Sequence, residues 1–339
     1  MSIHSVHLVG SVPLGDAEEV FRSVTGRLGD RLRRVTDGET GARANWTFWQ
    51  GAVFARTAGL VTDGNQNGEY SRTAKYRLRD GFDPAELSFG ELGYAAAARA
   101  SWQVFERLRD DGVLPDIRFQ VSLPTPMAPV RLYGAPGSQA AVEPAYEAAM
   151  LRELELIADA VPHDRLSIQW DTAVEFGMLE GVFPGWIPDL EQGILDRLTR
   201  LGDAVPAGAE LGYHLCYGDS GHRHFVQPKD TGRLAAVADA LADRLARPLA
   251  WIHLPVPIDR TDPAYFAPLR GLRLPADTEL YLGLIHAGDG LEGARRRVDA
   301  ARTAVGAFGV ATECGFGRRP PESIPGLLTL HAAVAGLVG

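Results

Sequence analysis

The run His4-Ser-Val-His-Leu-Val-Gly-Ser-Val-Pro13 is the stretch on which the fold turns. A β-type apolar segment passes directly into Gly10, Ser11, Val12 and Pro13, with no GxGxxG pattern behind it. Doubly wound sheets that hold dinucleotides commonly place a glycine-rich turn there. Its absence favours the other way of burying a parallel sheet, which is to curl it into a barrel. Further along, β-rich apolar runs fall at residues 4–11, 32–39, 117–125, 166–176, 209–218, 249–256, 280–287 and 306–315. Stretches of helical periodicity lie between them, at 16–28, 91–110, 143–160, 190–201, 231–246, 290–304 and 324–337, with a shorter candidate at 262–272. Eight such strand and crossover units predict an α/β chain folded as a single (β/α)8 TIM barrel over residues 1–339. No composition shift or low-complexity linker argues for a second domain.

Three connections exceed what a barrel requires. Residues 45–84 carry Trp46, Phe48, Trp49, Tyr70 and Tyr76, residues 127–142 are rich in Gly, Pro and Ala, and residues 217–230 hold His222 and His224. Each follows the C-terminal end of a strand, so the sequence predicts long loops on the face where barrel enzymes keep their active sites. His222 and His224 are expected to be solvated side chains on a polar loop.

Composition narrows the partners. At 45% hydrophobic and 23% charged residues the chain is an ordinary globular one, and its net charge of −9 is unaccompanied by any lysine-arginine block. Neither nucleic acid nor an acidic membrane surface is expected as a partner, which leaves a small molecule. With no apolar stretch near the roughly 18 residues of a membrane span and no secretory leader pattern, a cytoplasmic location is expected. Two cysteines are too few for a disulfide framework and, in a reducing compartment, point to thiol chemistry.

The chemistry concentrates in Leu211-Gly-Tyr-His-Leu-Cys-Tyr217. Residues two apart on a strand share a face, so His214 and Cys216 point the same way near its C-terminal end. Cys314, in Ala311-Thr-Glu-Cys-Gly-Phe-Gly317, stands at the end of the last strand and faces the same mouth. Two thiolates and one imidazole select zinc and leave a coordination position open, as in a catalytic site. Each residue alone reads as easily as a buried core side chain; it is the coincidence of three that points to a metal. Other strand ends are polar too: Asp37-Gly-Glu39, Asp171 with Glu175, His253, and His286-Ala-Gly-Asp289.

With these residues in view the chain resembles the catalytic C-terminal barrel of cobalamin-independent methionine synthase, in the superfamily that includes uroporphyrinogen decarboxylase. The resemblance rests on His214-Leu-Cys216, on His286 after an apolar strand, on Cys314-Gly315, on Gly10-Ser-Val-Pro13 and on Asp37-Gly-Glu39. It implies zinc on His214, Cys216 and Cys314, an amino group gripped by Glu39 and Asp171, and a carboxylate beside Ser11. It also implies His286 as the acid that protonates the leaving group, and a looser similarity places Tyr70 and Arg72 along the same site. Where the family supplies a glutamate ligand this chain has His253, which is therefore expected as a fourth ligand. The family's N-terminal barrel has no counterpart here, so the alkyl donor, a folate or a corrinoid protein, is left open.

The function expected is zinc-dependent transfer of an alkyl group, most simply methyl, to a small thiol such as homocysteine. Zinc deprotonates a thiol that is otherwise mostly neutral at pH 7. The alternative is a hydrolase or lyase in which zinc-bound hydroxide attacks a small polar substrate. A non-enzymatic metal-binding barrel is a third reading, since fold alone does not imply turnover.

Overall fold

The computed structural model describes residues 5–67, 72–219 and 223–338. Its centre is a curled parallel sheet of seven strands: β1 (Arg34–Thr36), β4 (Arg118–Pro124), β5 (Leu166–Thr172), β6 (Glu210–Leu215), β7 (Trp251–Pro255), β8 (Glu279–Ile285) and β9 (Gly309–Thr312), paired in that order. Two further strands, β2 (Leu60–Asn67) and β3 (Arg72–Leu78), form a separate antiparallel hairpin. Crossover helices pack outside the sheet, which is why β5, β6 and β7 are buried along their whole length. The helix Ala17–Leu28 shows how locally these elements are specified. Asp16 accepts a bond from the Glu19 N–H at 2.9 Å, Glu18 and Glu19 sit in the first turn, and Gly29 at φ 47° ends it.

The expected first strand is only partly regular. Val6 bridges Leu32 on one side and Val310 on the other, so this segment lies against both edges of the sheet. Beyond it the backbone turns to side chains: the Leu8 and Val9 carbonyls accept bonds from the Gln120 amide at 3.0 and 3.2 Å, and Val9 also from Ser122 at 2.9 Å. Glutamine and serine side chains thus take the place of a strand ladder. The fold is an α/β one with a curled seven-stranded sheet.

Strand alternation places polar residues on the concave face. Gln120, Ser122, Gln169 and Asp171 bond into one interior network, while Ser167 bonds Glu210 and His214 bonds His253. At the N-terminal end of the sheet the network becomes ionic. Buried Arg34 meets Glu210 at 3.2 Å and Glu279 at 2.8 Å, and its guanidinium lies 4.0 Å from the Trp251 ring centroid. Gly212 makes this possible, because a Cβ there would sit 2.0 Å from the Trp251 ring.

Of the three long connections, residues 45–84 contain the β2–β3 hairpin, tied down where Tyr76 bridges Gly134 and its carbonyl accepts the Ala135 N–H at 2.7 Å. Residues 127–142, read as a loop, are largely helical, with Met127–Tyr133 and the start of Gln139–Ala160. Among the described residues no helix is long and apolar enough to cross a membrane. Arg34→Ala removes the buried cation shared by Glu210 and Glu279, which keep the half-exposed Arg33 between them and, for Glu210, Arg118. We expect it to destabilise the protein by about 1.5–3 kcal/mol in urea denaturation at pH 8, with a smaller loss at pH 4, where protonation relieves the carboxylates.

Candidate metal centre and substrate cavity

Register puts the chemistry in one row. Asp171 of β5 pairs with His214 of β6, and His214 pairs with His253 of β7, so three side chains stand abreast on the concave face. Cys216 follows two residues after His214 on the same face, and Cys314 follows β9 from across the sheet. The ligand atoms of His214, Cys216 and Cys314 lie within 4.8 Å of one another. Both cysteines are free thiols.

A hydrogen-bond chain decides which nitrogen of His214 is available. The Thr312 carbonyl can only accept, so His253 must donate to it through Nε2, at 3.0 Å. The neutral His253 ring then has a lone pair on Nδ1, which meets His214 Nδ1 at 2.7 Å and requires a proton there. His214 is thereby left with an unprotonated Nε2, buried and without a hydrogen-bond partner. Burial, followed by their mutual repulsion in the case of His214, lowers the pKa of both rings, that of His253 to about 3, so the neutral chain holds at physiological pH. The sulfurs have the complementary problem. Sharing a site with Cys216, together with burial, pushes the Cys314 thiol well up, so a second thiolate forms there only beside a cation. The Gly218 N–H points at Cys216 Sγ at 3.2 Å, a donor suited to a thiolate. An orphaned imidazole lone pair facing two sulfurs fits a tetrahedral soft metal such as zinc.

This arrangement revises the role of His253. With one nitrogen donating to Thr312 and the other accepting from His214, it has no lone pair left for a metal. What it does is orient the His214 ring.

The three ligand residues line a cavity of about 410 Å³ together with Ser11, Glu39 and Asp171. Gly10 makes room for this acid group, since a Cβ there would lie 2.6 Å from Glu39 Oε1. Glu39 itself holds a left-handed backbone at φ 48°, costly for a residue with a side chain, and so does Trp46 at φ 47° on the same cavity wall. Burial raises the Glu39 pKa to about 7, against the pull of Arg43. Burial and the Glu39 charge together push Asp171 well above the usual carboxylate range, although Gln169 donates to it at 2.8 Å. A carboxyl pair of this kind binds a cation readily and otherwise retains a proton. Ser11 Oγ accepts the Gly317 N–H at 3.0 Å and keeps its own hydroxyl proton to offer.

Other expected residues fall elsewhere. His286 does not line the cavity: its Nε2 bonds the Val256 carbonyl at 2.8 Å and its Nδ1 lies 3.6 Å from Glu313. Glu175 is not on a strand but on the short helix Val174–Leu179, fully buried and bonded by Thr125. His224, expected in solvent, is buried with Nε2 3.2 Å from Glu313 Oε2. Tyr70 and His222 lie outside the described residues; Arg72 opens β3, and its side chain is outside them too. Sequence reasoning missed Glu313, Lys75 and Arg131. Only Glu313 carried a signal, its place beside Cys314.

No protein-family model and no curated protein sequence matches the chain. Solved structures do. A B12-independent methionine synthase from Shewanella sp. W3-18-1, in complex with selenomethionine, superposes with a TM-score of 0.63 at 14% identity, covering 99% of this chain and 98% of that one. A Listeria monocytogenes protein described as a candidate vitamin-B12 independent methionine synthase gives 0.56 at 15% identity, over 95% and 87%. A methyltransferase from Methanosarcina mazei gives 0.52 at 13% identity, over 98% and 95%. At such identities the likeness is one of fold.

We expect His253→Ala to weaken zinc binding by about 10- to 100-fold in competition with a chromophoric chelator, with both cysteines intact. The carboxyl pair predicts a pH signature. Glu39 titrates near 4.5 unfolded and about 7 folded, so burying it costs nothing below pH 4.5 and progressively more as pH rises through 7. Glu39→Gln is expected to stabilise the protein as purified by about 1–2 kcal/mol at pH 8.5 and not at all at pH 4.

Proposed function

We propose that this protein transfers an alkyl group, methyl in the first instance, onto a small thiol, using zinc held by His214, Cys216 and Cys314 on a (β/α)8 barrel completed by the Val6 segment. The observation that carries the reading is the His214 Nε2 lone pair, fixed by the His253 chain and facing two sulfurs at the wall of a ligand-sized cavity. Bound zinc would supply a thiolate from a thiol that is mostly protonated in water. The fold shared with a selenomethionine-bound methionine synthase and with a methyltransferase supports the same reaction class. Two free cysteines suit a reducing, cytoplasmic setting.

The remaining work falls to the chain's own residues. Asp171 holds an ammonium group, which positions the acceptor without entering the chemistry. Ser11 offers a hydroxyl to a carboxylate. A donor that leaves as an amine needs a proton, and Glu39 takes that role from His286. His286 is turned away from the cavity, whereas Glu39 lines it and holds a proton near neutral pH. Strained Trp46 contributes to the apolar wall together with Phe48, Phe183 and Phe225, and that wall limits water around the thiolate.

The test is metal content together with zinc X-ray absorption in the presence of a thiol. One zinc per chain, a new sulfur ligand on addition of homocysteine, and joint loss of zinc and transfer in Cys216→Ala and Cys314→Ala are the expected results. Full activity in metal-free protein, or zinc coordination unchanged by any thiol, overturns the reading; in the latter case hydrolysis or lyase assays on small polar substrates follow.

A further inference from the structure

The wall of the same cavity contains a feature that metal and carboxyl chemistry do not use. Lys75, on β3, is buried, and its Nζ donates to the Arg131 and Leu132 carbonyls at 3.0 and 2.7 Å. An ammonium has three protons, so one remains. Arg131, on the helix Met127–Tyr133, lines the cavity beside it. Its guanidinium carbon lies 4.9 Å from the Phe183 ring centroid, and its buried Nε has no hydrogen-bond partner. Among the described residues neither side chain has a carboxylate within ion-pair distance, although nearly every other partly buried arginine in the molecule does or is tied to backbone carbonyls.

Two cations side by side in a poorly solvated wall, without a counter-ion, are costly. Burial and the Arg131 charge lower the Lys75 pKa to about 8, which registers that cost. Chains do not ordinarily keep such a pair unless something negative completes it. An anion in the cavity would be drawn by the spare Lys75 proton and the Arg131 guanidinium together, as charge-assisted bonds. The Glu39–Asp171 carboxyl pair on the same cavity has the opposite polarity and suits a cation.

We propose that Lys75 and Arg131 form an anion subsite that binds a carboxylate on the substrate, making this an enzyme for acidic rather than neutral small molecules. The proposal rests on the cavity being the substrate site, but not on zinc or on transfer. It is therefore tested with a pair of thioethers that differ only in charge, 3-(methylthio)propionate and 3-(methylthio)-1-propanol, by calorimetric titration of the protein as purified.

The acid is expected to bind about 10- to 100-fold more tightly than the alcohol to the unaltered protein. The preference should shrink to within about threefold in Arg131→Met and Lys75→Met and return in Lys75→Arg. Lys75→Met frees two backbone carbonyls and can impair folding, so Arg131→Met with the unaltered protein suffices. Equal affinity for the two thioethers, or a preference that persists in Arg131→Met, overturns the proposal. Preference for the acid in a protein that proves to hold no zinc would leave the subsite standing while removing the transfer reaction.

Discussion

A peptide carbonyl has no proton to give, and that one asymmetry at Thr312 organises the centre of this molecule. It forces His253 to donate, His253 in turn forces His214 to donate, and the last lone pair is aimed where the sulfurs converge. The chain works because β6 and β7 are in register at His214 and His253, so the two rings meet side by side. It also works because both are buried deeply enough to remain neutral. A one-residue slip between those strands would turn one ring outward and leave the other without its tautomer. Packing, register and electronic readiness are therefore a single constraint.

Much of this was legible in the sequence because it depends on periodicity. His214 and Cys216 at a spacing of two had to share a face, and Cys314 at the close of another apolar run had to approach the same end of the sheet. The alternation of strands and helices was readable for the same reason, and helix limits such as Asp16 and Gly29 carried local capping signals. What eluded the sequence depends on relations between distant segments. His253 occupies a ligand's position in the row, but only the Thr312 carbonyl, 59 residues on, reveals that its nitrogens are committed. His286 sits at a strand end like the others, yet the Val256 carbonyl turns it away. The Glu39–Asp171 pair was named, whereas its capacity to hold a proton arises from burial that no spacing encodes.

The polar interior shows a similar division. Runs such as Leu166–Thr172 alternate apolar and polar residues, and it is Ser167, Gln169 and Asp171 that face inward. Hydrophobic burial against the outer helices supplies the driving force for the sheet, while the interior holds a hydrogen-bonded network that gives the site its shape. Gln169 illustrates the link between stability and chemistry: one amide engages His7 at 2.7 Å through its oxygen and steadies Asp171 through its nitrogen. The hairpin β2–β3 adds Lys75 to the cavity wall from outside the sheet.

The ion cluster of Arg34, Glu210 and Glu279, with the Trp251 ring against the Arg34 guanidinium, packs the N-terminal end of the sheet, away from the strand end that carries His214 and Cys216. A vessel filled at its base is approached from its rim. Were two reactants to share that approach, the deeper one would arrive first and depart last, an ordered sequence set by the shape of the fold.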